Sequence, residues 1–589
     1  MQNKKTFFVF LGVFVSFAWG ASFTVDDVTE FQNALNICAD NGEHDTINVK
    51  EGIYNVETLL TYWSEENYSL YIRGEDSVIL DAEGGGKIME LITTSEKGDI
   101  HVEGITFQNG NSDYGGALYI ETQSAEIRLE GCSFNNNTAE NVGGGVNIYS
   151  ITGSIIVRGC HFIKNLSPDR NYPNGTAGGL FIQTEGSNTE IFLEDCVFED
   201  NQVGRDAAGA MLYPLGNGAV IRVKGNRFKN NHAEEFGGGC FIRAPAENIT
   251  VEYKNNILTG NSTTRAGSGG GTYIEVVSGS IIFSNNTSEK NNSVWQGGAL
   301  WIEQGSGTLV CDKNTFTGNN AGENGAGANI YIDNGDAEIK ENVFAENSGS
   351  ASGGGLCIST TTGTISIFNN TFYSNTSEDG GDVYLYADAS SATIEFYNNI
   401  LWRSASPSLS FSGAKEVIAR YSDIEDGEGE EWFGPGCIAK DPLFVDPEAG
   451  DFHLRWDNFP VEDETKSPCI DAGDPTSPPD SDGTRRDMGA FYFNQGPQGC
   501  KESKPNVWGV SVAVKSSQIA VEYFLSKPCN VKIRLYNLAG ELVETLVDTY
   551  KKTGKHKITW NAERVSSGIY FCQIRISDYC VTKKIILLR

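Results

Sequence analysis

The sequence predicts an all-β chain, a parallel β-helix solenoid followed by a small immunoglobulin-like β-sandwich. Three observations carry this reading. Nine asparagines (Asn137, Asn165, Asn201, Asn231, Asn261, Asn291, Asn319, Asn347 and Asn375) recur at intervals of 28 to 36 residues, mostly three positions after a Phe or Leu. A period in that range belongs to a solenoid. Each repeat also holds two short alternating runs, such as Leu118-Tyr-Ile120 and Ile127-Arg-Leu129, parted by Gly, Ser, Asn and Asp. Runs of that kind are strands, and strands that recur once per repeat stack in parallel, about 4.7–4.9 Å apart. A second column, Cys132, Cys160, Cys196, Asn226, Asn256, Asn286, Asn314, Asn342, Asn370 and Asn399, keeps step with the first. Identical amides one coil apart hydrogen-bond as a ladder, and Asn tolerates the left-handed backbone that a sharp bend needs.

The elements follow in order. Residues 1–20 read as a secretory signal peptide: Lys4 and Lys5, an apolar run from Phe7 to Trp19, and small residues Ala18 and Gly20 before a cut. No segment is long enough for a transmembrane span. Residues 21–425 form the solenoid with an N-terminal cap, where Val28, Phe31, Leu35 and Cys38 have the spacing of a short amphipathic helix that covers the first coil. Irregular early coils follow, at Asp45–Val49, Leu70–Gly74 and Val78–Asp81. This opening resembles that of many secreted right-handed β-helix proteins, which implies the same handedness. The phrase Phe-x-x-Asn followed by Gly297-Gly-Ala-Leu300 resembles the repeats of chlamydial polymorphic outer-membrane proteins. Those are surface adhesins, so the resemblance implies adhesion.

Residues 426–495 are expected to form a loop-rich cap over the last coil. Asp480, Asp482 and Asp487 within it have a spacing that suits Ca²⁺, and no other cofactor is expected. Residues 496–507 read as a linker. Residues 508–589 hold short alternating runs with the density of a β-sandwich. Val531–Gly540, Gly554–Trp560, Ser567–Phe571 and Val581–Arg589 resemble the C-terminal sorting domain of type IX secretion cargo. The resemblance implies passage across a Gram-negative outer membrane, secretion machinery as a partner, and a secreted or surface location.

The net charge of −33 argues against nucleic acid and anionic membranes as partners. Of the 13 cysteines, the stacked trio reads as buried thiols, and nothing has zinc spacing.

The outward face of the strand after each Gly-rich step is the candidate binding surface. Taking pairs such as Leu118/Ile120, Leu300/Ile302 and Ile330/Ile332 as inward, the residue between them points out. That column reads Tyr119, Asn147, Phe181, Leu212, Phe241, Tyr273, Trp301, Tyr331, Cys357 and Tyr384. The next reads Glu121, Tyr149, Gln183, Pro214, Arg243, Glu275, Glu303, Asp333, Ser359 and Tyr386. An aromatic stripe (Tyr119, Phe181, Phe241, Tyr273, Trp301, Tyr331, Tyr384) thus runs beside three stacked carboxylates, Glu275, Glu303 and Asp333. Flat rings in line make a platform for an extended polysaccharide or a cell-surface glycan, with Trp301 and Tyr331 on adjacent coils under one sugar chain. Strand propensity alone also places aromatics there. The alternative is a polysaccharide lyase or glycoside hydrolase on a pectate-lyase-like β-helix, with the carboxylates as Ca²⁺ ligands or an acid/base pair. The Asn-Thr-Asp, Gly-His-Gly and Arg-Ile-Lys phrases of polygalacturonases are absent, and the six histidines lie away from the patch. The sequence therefore favours a non-catalytic adhesin or glycan binder.

Overall fold

The computed structural model describes residues 20–587 apart from 172–174, 266, 388–391, 406, 414–416, 497–506, 516–517, 526–527, 538–541, 562–567 and 577–578. Residues 1–19 of the expected signal peptide and most of the expected linker lie outside the described residues. The chain divides into two compact units near Phe493 and Asn494, with Ser481–Gly483 counted in the second.

The first unit is a right-handed parallel β-helix of about 14 turns. Each coil contributes to three long parallel sheets. In one coil these are Ile127–Glu130 in the first sheet, Ser133–Asn135 in the second and Val146–Ser150 in the third. Between the second and third runs a ladder of very short strands, from Asn111–Tyr114 to Ser348–Gly349. Alternate residues of the strands in these three sheets point into one continuous core. The helix Val28–Cys38, capped by the Asp27 carboxylate on the Glu30 N–H at 2.7 Å, lays Phe31, Ala34, Leu35 and Cys38 over that core.

Two polar ladders hold the bends. The Asn165 side-chain N–H group donates to Asn201 Oδ1 at 3.0 Å and to the Phe134 carbonyl at 2.9 Å. The Asn201 Oδ1 also accepts the Asn165 backbone N–H at 2.9 Å. Every ladder amide down to Asn347 repeats this set, and the second ladder does the same from Asn226 to Asn370. Both side-chain protons and both acceptor sites are used, so a buried amide, costly when unpaired, becomes a stable core element. The left-handed residue is not the ladder Asn, as the sequence reading had it, but its predecessor: Asn136, Lys164, Asp200 and Asn230 have φ of 53° to 56°. The bend therefore turns one residue earlier, and the Asn is free to aim inward.

Beside the ladder, Phe107, Phe134, Phe162, Phe198 and Phe228 stack with centroids 4.7–5.1 Å apart. The stack lapses at Leu258 and Ser288, where Tyr253 and Phe283 of the first sheet fill the core instead. It resumes at Phe316, Phe344 and Phe372. The Gly-rich step has a steric cause. Gly297 sits at φ 64°, and a Cβ on Gly298 would meet the Asn320 and Ala326 carbonyls at 2.5 and 2.6 Å.

The first ladder ends on an acid. Asn375 Nδ2 donates to Asp382 Oδ1 at 2.8 Å and its backbone N–H to Ser404 Oγ at 3.1 Å, while Ser404 bonds Asp382 in turn. Burial pushes the Asp382 carboxyl up to about 8.

Residues 426–493 do not simply close the end. Trp432 covers the last of the core, and the rest folds back along the outer side of the second sheet. There Phe444, Phe452, Trp456, Ile470 and Met488 pack on Val343, Ala345, Tyr373 and Ile400. Those outward apolar residues need a cover, which sets where the segment lies. Among the described residues, ten cysteines, including the stacked trio, are free thiols.

The second unit is all β. Val507–Lys515, Gln518–Leu525 and Gly554–Asn561 form a three-stranded antiparallel sheet. Leu542–Lys551, Cys529–Tyr536, Gly568–Ile576 and Tyr579–Leu587 form a four-stranded one. Alternating Val521, Tyr523, Leu525, Val531, Ile533, Leu535, Cys572 and Ile574 make their common core.

Two outcomes follow from the ladders. Asn314→Leu strands the Asn286 donors that Asn314 Oδ1 accepts at 2.9 and 3.0 Å, at about 1–3 kcal/mol for each group left unpaired; thermal melts should show a clear loss, and a wild-type melt would contradict the ladder's role. Asp382 has a folded pKa above the ordinary carboxylate value, so its share of stability is full below about pH 4 and is lost as pH rises through about 8. Asp382→Asn should melt like wild type at pH 4 and above it at pH 8.5.

Candidate functional site

The register of the third sheet decides which side chains share its outer face. The first outward column is Glu90, Tyr119, Asn147, Phe181, Met211, Phe241, Tyr273, Trp301, Asn329, Cys357 and Tyr384. The second is Glu121, Tyr149, Gln183, Tyr213, Arg243, Glu275, Glu303, Tyr331, Ser359 and Tyr386. Two coils correct the sequence reading. Leu212 points inward opposite Ile182, and Met211 takes its place. Tyr331 pairs with Glu303 rather than Trp301, so Trp301 and Tyr331 cannot lie under one sugar chain as neighbours, and Asp333 is not stacked on Glu303. In both coils an Ala (Ala210, Ala328) occupies the first inward position, where the preceding coils carry Leu180 and Leu300. A reading anchored on Leu/Ile pairs slips past a small residue.

The stripe divides into two halves. Phe241, Tyr273 and Trp301 stack on one another along the solenoid axis, with centroids 4.5 and 4.9 Å apart and planes 12° and 24° from parallel. Their faces are spent on each other. Phe236 leans over them from the preceding loop, 5.4 Å from Tyr273 and 6.4 Å from Trp301. Phe241 and Tyr273 are buried in a satellite cluster that also takes in Phe181 and Met211, so these stacked rings are not a platform. The carboxylates of this half are engaged. Glu303 accepts the Tyr273 phenol at 2.9 Å, and Glu275 pairs with Arg243 at 3.2 Å. Burial raises the Glu275 carboxyl, against the pull of Arg243. Burial, with Glu303 and Glu275 beside it, raises the Tyr273 phenol, which stays a donor. Tyr331 is exposed, with its hydroxyl 3.5 Å from Asp333, and the Tyr384 hydroxyl meets that of Ser412 at 2.6 Å.

The other half is open. A groove of about 550 Å³ lies over six coils, from Glu90 to Arg243, before Phe236 closes the surface. At about 4.8 Å per coil it is about 24 Å long. Its floor is Tyr119, Asn147, Phe181 and Met211 of the first column and Glu121, Tyr149, Gln183, Tyr213 and Arg243 of the second. Tyr114, Val142, Thr176, Arg205 and Asp206 form the wall on the loop side. Of the residues expected to bind, Tyr119 and Phe181 therefore line the groove, and the sequence reading missed its loop-side wall altogether.

Its ionic groups are paired. Lys87 meets Glu90 at 3.2 Å and lies over the Tyr119 ring. Tyr119 donates to Glu121 at 2.7 Å. Arg205 bridges Asp206 at 3.1 Å and Glu235 at 3.4 Å. Burial pushes the Asp206 carboxyl up to about 6, with Arg205 opposing. Burial and a bond to Glu185 push the Tyr149 phenol up to about 12.

The carboxylates expected to take Ca²⁺ are engaged by protein donors. Asp487 accepts the backbone N–H groups of Asp471 and Phe493 at 2.6 and 2.7 Å, and Asp480 accepts that of Asp487 at 2.8 Å and pairs with Arg486 at 3.3 Å. Asp482 accepts the Gln495 N–H at 2.7 Å. Among the described residues, the acidic trio whose ligand atoms converge within 4.8 Å is instead the exposed Asp26, Asp27 and Glu30 at the helix start.

Comparison with known families agrees with both units. Residues 66–253 match the family described as right handed beta helix region. Residues 515–588 match the one described as secretion system C-terminal sorting domain. The chain is a right-handed β-helix protein with a type IX secretion sorting domain. No curated protein matches the sequence. The sorting domain makes this β-helix protein a secreted one, extracellular or held at the cell surface, with the secretion machinery as a partner. Among the described residues no helix is long and apolar enough to cross a membrane. Deleting residues 510–589 should leave the β-helix folded but periplasmic in a host with type IX secretion; undiminished surface display of the truncated chain would contradict the sorting role.

Proposed function

We propose that this protein is a glycan-binding surface protein of a Gram-negative bacterium, delivered through a cleaved signal peptide and the sorting domain, and that it binds an extended polysaccharide in the groove rather than along the whole stripe. The observation that carries the reading is the groove itself. It is a straight trough about 24 Å long with tyrosine rings in its floor and polar groups between them, a lining that suits sugar rings and their hydroxyls. Adhesion to a cell-surface glycan is the role this arrangement serves, in keeping with the repeat phrase that resembles surface adhesins.

A hydrolase is the second reading, favoured by one feature, the raised carboxyl of Asp206 in the groove wall. Glycoside hydrolysis needs a partner carboxylate within about 5–9.5 Å. The carboxylate beside it, Glu235, is held by the same Arg205, and Glu121 on the floor lies three coils away, about 14 Å along the axis. Asp206 is held by Arg205, and the arrangement suits binding better than turnover.

Screening the purified protein against a polysaccharide array tests both readings. Binding without new reducing or unsaturated ends is expected. Tyr213→Ala should weaken it about 2- to 12-fold, the equivalent of 0.5–1.5 kcal/mol per aromatic contact, with an unchanged melt. Phe241→Ala should act on stability alone. Turnover that disappears in Asp206→Asn would establish the hydrolase instead.

A further inference from the structure

The groups in the groove fall into two classes. Every cation already has a carboxylate: Lys87 has Glu90, Arg205 has Asp206 and Glu235, and Arg243 has Glu275. Arg205 is only 13% exposed in its side chain, so its pairs are well shielded from water. The uncommitted groups are neutral. The amide of Asn147 makes no hydrogen bond to the protein among the described residues, although the residue is only 6% exposed and lines the groove. The Gln183 amide, one coil further in the second column, likewise has no protein partner among the described residues. Both amides line the groove with their donors and acceptors left open to a ligand.

An amide offers donors and an acceptor together, which matches a sugar hydroxyl, itself both donor and acceptor. A uronate carboxylate offers acceptors only. To bind one, an arginine here must release a carboxylate and leave it unpaired in a partly buried site, within a chain of net charge −33. The tyrosines add a length. Tyr149 and Tyr213 flank Gln183 in the second column, two coils apart. That is about 9.4–9.8 Å, roughly one disaccharide.

We propose that the groove selects an uncharged polysaccharide, reading its hydroxyls with Asn147 and Gln183 and its disaccharide step with Tyr149 and Tyr213, and that it rejects polyuronates. This rests on the glycan reading above and names the class of glycan. It also sets the groove apart from a Ca²⁺-bridged anion site, because no cation is needed to neutralise the ligand.

The test is calorimetric titration of the full mature chain with cellohexaose, mannohexaose, chitohexaose and hexagalacturonate, each at 50 and 500 mM NaCl with EDTA present. At least one neutral hexasaccharide should bind, with an affinity that changes less than about twofold with salt, as expected without ion pairing. Hexagalacturonate should not bind. Gln183→Ala should weaken the neutral ligand about 2- to 12-fold, the equivalent of 0.5–1.5 kcal/mol for one hydrogen bond, and Asn147→Ala should do the same while melting no lower than wild type. Tight, salt-sensitive binding of hexagalacturonate would overturn this proposal and leave the glycan reading standing. Binding of none of the four would overturn both.

Discussion

The register of this solenoid rests on the buried amide ladder. A parallel coil can slide against its neighbour by two residues and still keep its apolar face inward, so hydrophobicity alone leaves the stacking loosely specified. An Asn whose two protons go to the next coil's amide oxygen and to a carbonyl of the preceding coil, and whose two acceptor sites are taken by the preceding coil's Asn, has no equally good alternative. A slip would leave several buried donors and acceptors unpaired, which costs more than misplacing an aliphatic side chain. The phenylalanine stack beside the ladder tolerates interruption at Leu258 and Ser288, whereas the ladder runs unbroken from Asn137 to Asn375.

That fixed register is what makes the outer face a functional object. With each coil locked to the next, outward columns become straight rows, and neighbours along a row meet at one coil's rise. Where successive coils place rings in the first column, the rings stack on themselves and form a covered core, as from Phe241 to Trp301. Where rings alternate with amides and methionine, from Tyr119 to Met211, a groove remains over the face, although Phe181 and Met211 themselves belong to the buried cluster. The same scaffold thus yields packing in one stretch and a groove in the next, and Phe236 marks the border.

The solenoid, both ladders, the capping helix and the sorting domain were legible in the sequence because each is written as a repeated or contiguous pattern. The outer face was only partly legible. Ala210 and Ala328 shifted the reading of two coils, so Tyr331 and Asp333 were placed beside residues they do not meet. Exposure was the harder failure. A column of aromatics reads the same whether its rings face solvent or one another, and the lid residue Phe236 lies in a loop with no periodic signature. The cover over Val343 and Tyr373 had a visible cause in their outward apolar character, yet only the third sheet's outer face had been read in that way. The wall formed by Arg205 and Asp206 comes from the loops between repeats, where spacing carries no information about direction.

The most direct test of this account is a crystal structure of the mature protein soaked with the neutral hexasaccharide it binds best. The account predicts density for a sugar chain running parallel to the solenoid axis in the open groove, with successive disaccharides over Tyr149 and Tyr213 and hydroxyls within hydrogen-bond distance of Asn147 and Gln183. An oligosaccharide lying instead over Tyr273 and Trp301, with Phe236 displaced, or bound away from the third sheet altogether, would contradict it.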